Sequence, residues 1–203
     1  LKTMYVAIVG SMMEEMLKFV SQKMMGAQFV RQILDDFLGI QTLAESGFAE
    51  RKLFLTSLSM ARAKGPLWNE IYLRDGTTTN VIVGQLPTQW HVRMLCHCRN
   101  VRSILSVCEA YELEEVDGRC CWHVPGVVQK IISVQDFRGG GGTESLFQGM
   151  QFIQKQLELG AVYVHCKAGK GRSVLMVMAW LMEFRRKCVT SPLDALHVII
   201  MHR

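Results

Sequence analysis

Four short apolar runs recur along the last two thirds of the chain, near 81–84, 103–107, 130–134 and 161–165. Runs this short, rich in Val and Ile and bounded by polar or glycine-bearing turns, read as buried strands. Helical signals fall between and after them. Ser145-Leu146-Phe147-Gln148 has the form of a capping box, opening a helix that runs to Leu159 with Gly160 as its stop. Ser191-Pro192-Leu193-Asp194 is a second start, with Ser as N-cap and Pro in the first turn, and its helix is expected to reach Arg203. Val174 to Met182 is apolar all round and ends at Glu183, as a helix buried on every side would be. It is far shorter than the ~18 apolar residues a membrane-spanning helix requires.

The first 66 residues follow a different pattern. Met13, Met16, Leu17, Val20 and Met24 form one helical stripe, and Phe29, Ile33, Leu34 and Phe37 form a second that ends near Gly39. The methionine-rich first stripe suits an adaptable contact face, either packed on the rest of the protein or turned to a membrane or partner. Ala63-Lys64-Gly65-Pro66 reads as a linker. The expected organisation is a helical extension over 1–66 and an α/β domain over 67–203, with one sheet flanked by helices. The chain opens on Leu1, as a piece of a longer protein would, and the final helix has the look of a trimmed end.

Composition narrows the setting. With 49% hydrophobic residues, 203 residues can bury one sizeable core. The net charge of +5 fits an anionic membrane surface or a phosphorylated substrate. The basic residues are not interleaved with aromatics, so no nucleic-acid partner is expected. Seven cysteines without a secretory signal fit a reducing compartment. Glu14, Glu15, Asp35 and Asp36 argue against a presequence within the first helices. Cys96-His97-Cys98 and Cys120-Cys121-Trp122-His123 carry metal-ligating side chains, but their spacing matches no common zinc pattern, so no metal and no cofactor are expected. They read as partly buried thiols in a helix and a loop.

The chemistry concentrates after the fourth strand, in His165-Cys166-Lys167-Ala168-Gly169-Lys170-Gly171-Arg172-Ser173. A Walker-type nucleotide loop is excluded, because Val164 and Gly171 stand where it needs Gly and Ser or Thr. A cysteine attacks as the thiolate. The loop from Lys167 to Gly171 can turn its N–H groups inward as an anion cradle. A helix starting near Arg172 points its positive end at the sulfur, and Ser173 can donate to it. A phosphate in the cradle meets the same donors, and Arg172 adds a planar fork matched to two phosphate oxygens. Attack gives a phosphocysteine that water then hydrolyses. The leaving oxygen needs a proton, so a carboxylic acid is required. Asp136 is the candidate: it follows the run Ile131-Ile132-Ser133-Val134 and precedes Gly139-Gly140-Gly141-Gly142, which would let its loop move. Asp117 is the rival, within Glu114-Glu115-Val116-Asp117-Gly118, which reads as a solvated turn.

These residues resemble the dual-specificity branch of the protein-tyrosine-phosphatase superfamily, and within it the mitochondrial phosphatases that dephosphorylate phosphatidylglycerophosphate. The likeness extends from about Trp68 to Arg203, with Trp68, Val81 to Pro87 and Val101 to Val107 standing as the opening strands. Glu109-Ala110-Tyr111-Glu112 occupies the place of a Glu-x-Tyr-Glu segment in that family. The resemblance implies that Cys166 is the nucleophile, Arg172 the phosphate clamp, Asp136 the general acid and Ser173 the group that stabilises the thiolate during hydrolysis of the intermediate. Lys167, Ala168, Gly169, Lys170 and Gly171 would line the phosphate. Glu109, Tyr111, Glu112 and His165 are candidate substrate-side residues. It also implies a phosphorylated lipid substrate and a peripheral place on the mitochondrial inner membrane; the alternatives are a dual-specificity protein phosphatase for phosphotyrosine and phosphoserine/threonine or a phosphoinositide phosphatase, and a cytoplasmic location. Two departures matter. Lys170 replaces the family's usual Arg, giving a loop that phosphoinositide 3-phosphatases of the tumour-suppressor type also carry. Four glycines stand where the family has bulkier residues after the acid.

Overall fold

The computed structural model describes residues 67–117, 122, 124–134 and 142–201. Its elements run in the order β1 (Trp68–Tyr72), β2 (Thr78–Gly84), α1 (Gln89–Cys98), β3 (Val101–Val107), α2 (Ala110–Asp117), β4 (Val128–Ile132), α3 (Thr143–Gln156), β5 (Ala161–His165), α4 (Arg172–Phe184) and α5 (Pro192–Ile200). The five strands form one sheet in the order β1-β2-β5-β3-β4. β1 pairs antiparallel with β2, and every other pairing is parallel.

The last strand in sequence lies at the middle of the sheet. All five residues of β5 are buried, so it reads as a continuous apolar run rather than an alternating one. The chain reaches this position by going past it. β2 crosses through α1 to β3, leaving a gap that β5 later fills, and β4 crosses back through α3. The two crossovers run in opposite directions across the sheet. Parallel crossovers are right-handed, so α1 and α3 fall on opposite faces. α4 packs against α3 and α5 and touches β2, β3 and β5. It is the helix behind the sheet centre, and its Met176, Val177, Trp180 and Leu181 are fully buried.

Trp180 anchors this layer. Its indole Nε1 donates to Gln154 Oε1 of α3 at 3.2 Å, and the Arg185 guanidinium lies 4.7 Å from the ring centroid.

Element boundaries differ from the sequence expectations in several places. β2 begins at Thr78 and β3 at Val101, earlier than their apolar runs, and α5 ends at Ile200 rather than Arg203. α3 opens at Thr143, not Ser145, with Gly142 at the N-cap and no side-chain cap bond, so Ser145 to Gln148 lies inside the helix rather than at its start. The helix ends at Gln156, and Leu157 to Leu159 form a turn before Gly160. β4 begins and ends two residues earlier than the apolar run indicated. Glu114 to Asp117, read as a solvated turn, are the last turn of α2, because Glu112 and Leu113 give that segment a buried side. The capped start at Ser191 stands as expected: its side chain accepts from the Asp194 N–H at 3.1 Å. Cys96 and Cys98 lie in α1. The helices expected in 1–66, the linker, Cys120, Cys121, His123 and Arg203 lie outside the described residues.

Truncating Trp180 to Ala is expected to destabilise the protein by about 3–5 kcal/mol, because a large aromatic at the helix–sheet interface leaves a cavity that cannot collapse. Urea unfolding followed by circular dichroism measures it.

Candidate active site

The C-terminal ends of β2, β5 and β3 converge, and the loop that leaves β5 carries the reactive residues. Open parallel sheets place ligands at this edge, where neighbouring strands connect in opposite directions. Cys166 directly follows β5 and is 3% exposed. α4 begins six residues later, so Ser173 sits in its first turn with Oγ 3.3 Å from Cys166 Sγ. Gly171 at the N-cap provides no side-chain cap, which leaves the helix start without a competing side-chain acceptor.

The loop is held against the sheet at close range. Gly169 has φ +72°, and a Cβ there would lie 2.6 Å from both the carbonyl carbon and oxygen of Gly84. The Leu86 N–H donates to the Lys167 carbonyl at 3.1 Å. The end of β2 is thus the floor on which the phosphate loop rests. Lys167 is half-buried and Lys170 is exposed.

Arg172 is 6% exposed and is aimed by two partners. Glu112 of α2 takes it in a two-point fork, Nη1 to Oε2 at 2.5 Å and Nη2 to Oε1 at 2.8 Å. The Val134 carbonyl, just beyond β4, accepts from Nη1 at 2.8 Å. Glu112 is itself 1% exposed, and its Oε2 also accepts from the Glu109 N–H at 2.9 Å. A planar fork meeting a carboxylate in two bonds fixes the guanidinium plane as well as its position.

His165 backs the cysteine. It is fully buried between Tyr163, stacked at 5.7 Å, and Trp122, edge-on at 5.2 Å. Nδ1 lies 3.3 Å from the Cys166 carbonyl, which can only accept, so Nδ1 carries the proton. Nε2 then accepts from the Ser106 hydroxyl at 2.8 Å. Burial, with the Arg172 charge adding to it and the bond to Cys166 opposing, pushes the imidazole pKa down to about 3. His165 is therefore neutral across the physiological range.

The structure brings Cys166, Arg172 and Ser173 together. Two residues expected on the substrate side are placed elsewhere. Glu112 is buried behind Arg172 and His165 is buried behind Cys166, each bonded to its neighbour rather than open to a substrate. The reason is packing: His165 is the last residue of the fully buried strand β5, and Glu112 turns inward from α2 to meet Arg172. Glu109 is half-buried and Tyr111 is exposed at the start of α2. Asp136 lies outside the described residues. Ser106, the Val134 carbonyl and Gly84 were not singled out from the sequence. Only the strand register, which sets Ser106 and Gly84 beside His165, exposes their role.

This arrangement can hold a phosphate monoester against a buried sulfur. The chain is 34% identical over 164 residues to mouse phosphatidylglycerophosphatase and protein-tyrosine phosphatase 1, covering 78% of this chain and 83% of that protein. The chain belongs to that family. The human relative of the same name is 35% identical over 163 residues, with 77% of this chain and 78% of that protein covered. No protein-family profile matches. Among solved structures, PTPMT1 superposes with a TM-score of 0.50 and 32% identity over 61% of this chain and 78% of that one. Human DUSP28, at 18% identity and a TM-score of 0.54, covers 68% of this chain and 82% of its own, and shares the fold. The family's members are cysteine-dependent phosphatases of the protein-tyrosine-phosphatase type, and this chain is one.

Two measurements probe the supporting residues. Glu112→Gln removes the charge but keeps the shape, and is expected to lower kcat/KM by about 100-fold through misaimed Arg172. Rescue in Glu112→Asp would contradict a requirement for two-point contact. For His165, the folded pKa lies below the unfolded value of 6.5. The unfolded chain then binds the proton that the folded one refuses, and stability falls as pH drops from about 6.5 toward 3. At pH 5 the loss relative to pH 7 is roughly 2 kcal/mol. Urea midpoints at both pH values should show a smaller difference in His165→Gln than in the parent.

Proposed function

We propose that the protein hydrolyses the phosphate monoester of phosphatidylglycerophosphate at a membrane surface. The observation that carries this reading is the likeness across 164 residues to enzymes named for that activity, joined to a buried cysteine beside Ser173 and an arginine on the same loop already aimed by a carboxylate. The 26% identical protein from Arabidopsis thaliana is likewise named a phosphatidylglycerophosphate phosphatase, although the match spans 41% of its length.

In this mechanism Cys166 Sγ attacks phosphorus while the glycerol oxygen leaves in line. Arg172 and the N–H groups of the loop hold the equatorial oxygens, where charge is spread in the transition state. Asp136 gives its proton to the leaving oxygen. Val134, two residues before it, is bonded to Arg172, which supports an approach of that segment to the site. Asp136 then takes a proton from the water that attacks the phosphocysteine, and the Ser173 hydroxyl steadies the departing thiolate. Lys167 and Lys170 favour an anionic headgroup. The membrane would be the mitochondrial inner membrane, with the protein peripheral to it. No helix among the described residues is long and apolar enough to cross a bilayer. Residues 1–66 would form a helical extension ahead of a catalytic domain over 67–203.

Turnover of phosphatidylglycerophosphate, phosphoinositides and phosphotyrosine peptides should be compared on the full chain. Preference for the first is expected, and preference for the peptides would replace the lipid reading with a protein phosphatase. In the same assay Cys166→Ser should abolish turnover while still binding tungstate. Asp136→Asn should slow an alkyl phosphate far more than an activated aryl phosphate, and equal slowing would remove Asp136 as the acid.

A further inference from the structure

The exposed aromatic side chains among the described residues all belong to helices that begin at the catalytic end of the sheet. Trp90 is 62% exposed, Tyr111 45% and Phe147 51%. Trp90 is the second residue of α1, which starts just past the end of β2. Tyr111 is the second residue of α2, which starts just past the end of β3. Phe147 lies in the first turns of α3, the helix that follows β4. Each of these strands ends on the side where the loop of Cys166 emerges. Exposed aliphatic residues do not follow this rule. Leu159 precedes β5 at the opposite end, and Leu193 adjoins Asp194, which is paired with Arg74 in the turn between β1 and β2.

Trp90 is also held in place. Its ring meets His91 edge-on at 5.3 Å, and His91 meets Trp68 at 6.2 Å. His91 is fixed in turn by the capping box at Thr88. An aromatic ring pinned at a rim with most of its surface in water gains little burial within its own chain. Basic groups stand among these rings: Lys170 is exposed on the loop, and Arg93 is exposed one turn along α1 from Trp90.

We propose that this end of the molecule is a docking face for an anionic lipid bilayer, with Trp90, Tyr111 and Phe147 entering the headgroup–acyl boundary around the phosphate loop. The inference rests on the lipid-substrate reading and adds the surface that delivers the substrate. A lipid phosphate lies at headgroup depth, so a buried cysteine reaches it only if the rim around the pocket meets the membrane. Rings with an apolar body and a polar edge settle at that depth, and neighbouring lysine and arginine side chains supply attraction to anionic lipid. Three rings on three separate helix starts, beyond the ends of β2, β3 and β4, fit a planar surface better than a peptide.

The full chain should be mixed with vesicles of phosphatidylcholine containing phosphatidylglycerol as the anionic minor component, with bromine on the acyl chains. The chain has four tryptophans, and of these Trp122 and Trp180 are buried and Trp68 is half-buried. Bromine quenching of tryptophan fluorescence is expected, and it should be largely lost in Trp90→Phe. Trp90→Ser with Phe147→Ser should weaken vesicle binding by about tenfold or more, cut turnover of vesicle-borne lipid phosphate in step, and leave hydrolysis of a soluble aryl phosphate and the melting temperature unchanged. Trp90 unquenched on bound vesicles, or binding unaltered in the double variant, would overturn the proposal. The two readings fail separately. Vesicle binding through Trp90 with preference for phosphopeptides would leave the docking face standing and remove the lipid substrate. Lipid turnover in detergent with Trp90 unquenched on vesicles would do the reverse.

Discussion

The ion pair between Arg172 and Glu112 is the interaction on which the rest of the site depends. Both groups are almost wholly removed from water. Burying two charges is costly unless their geometry is good and their remaining bonding capacity is used. Here the guanidinium meets the carboxylate at two points, the Val134 carbonyl takes a further bond, and the Glu109 N–H satisfies the carboxylate. Removing either partner would strand a charge in the interior. The pair also ties three separate stretches together: the start of α4, the start of α2 and the exit from β4. The arginine is therefore already oriented before any phosphate arrives, and the ordering cost is met by folding.

The sheet order makes this pair possible. Because β5 is inserted between β2 and β3, the cysteine loop emerges with a strand end on either side. β2 supplies the backbone on which the loop rests. β3 leads into α2 and so delivers Glu112, while Ser106 near its end reaches His165. β4, one strand further out, sends Val134 across to the arginine. A cysteine on an edge strand would have only one such neighbour. Keeping His165 neutral follows from the same enclosure, since Tyr163 and Trp122 close the space around it and leave no room for water to solvate a charge.

Much of this was legible in the sequence, for identifiable reasons. Central parallel strands are apolar on both faces, so β2, β3 and β5 announce themselves as short unbroken runs. The cysteine loop is local, so its spacing carries its chemistry, and the helix beginning at Arg172 was expected where it is found. What was obscured depends on tertiary partners. α2 offers a weak apolar pattern because one of its inward residues is the charged Glu112, which looks solvent-facing until its partner 60 residues away is known. Ser106 and Gly84 are unremarkable in isolation and become meaningful only through register with His165. The start of α3 was misplaced because a capping-box sequence at Ser145 is outweighed by a helix that opens two residues earlier at Thr143.

The contact between Gly169 and Gly84 bears on how portable this loop is. The two residues meet backbone to backbone, at a separation that admits no side chain on Gly169. Gly84 is equally constrained, because a Cβ there would run into the Tyr163 hydroxyl and lie 2.6 Å from the Leu67 carbonyl. Neither position can change first without strain, and no single substitution at one relieves the other. The signature from His165 to Ser173 is thus only half of a structural unit. A graft of those nine residues onto another sheet would carry the chemistry but lack its seat, which is supplied by a strand that ends more than eighty residues upstream.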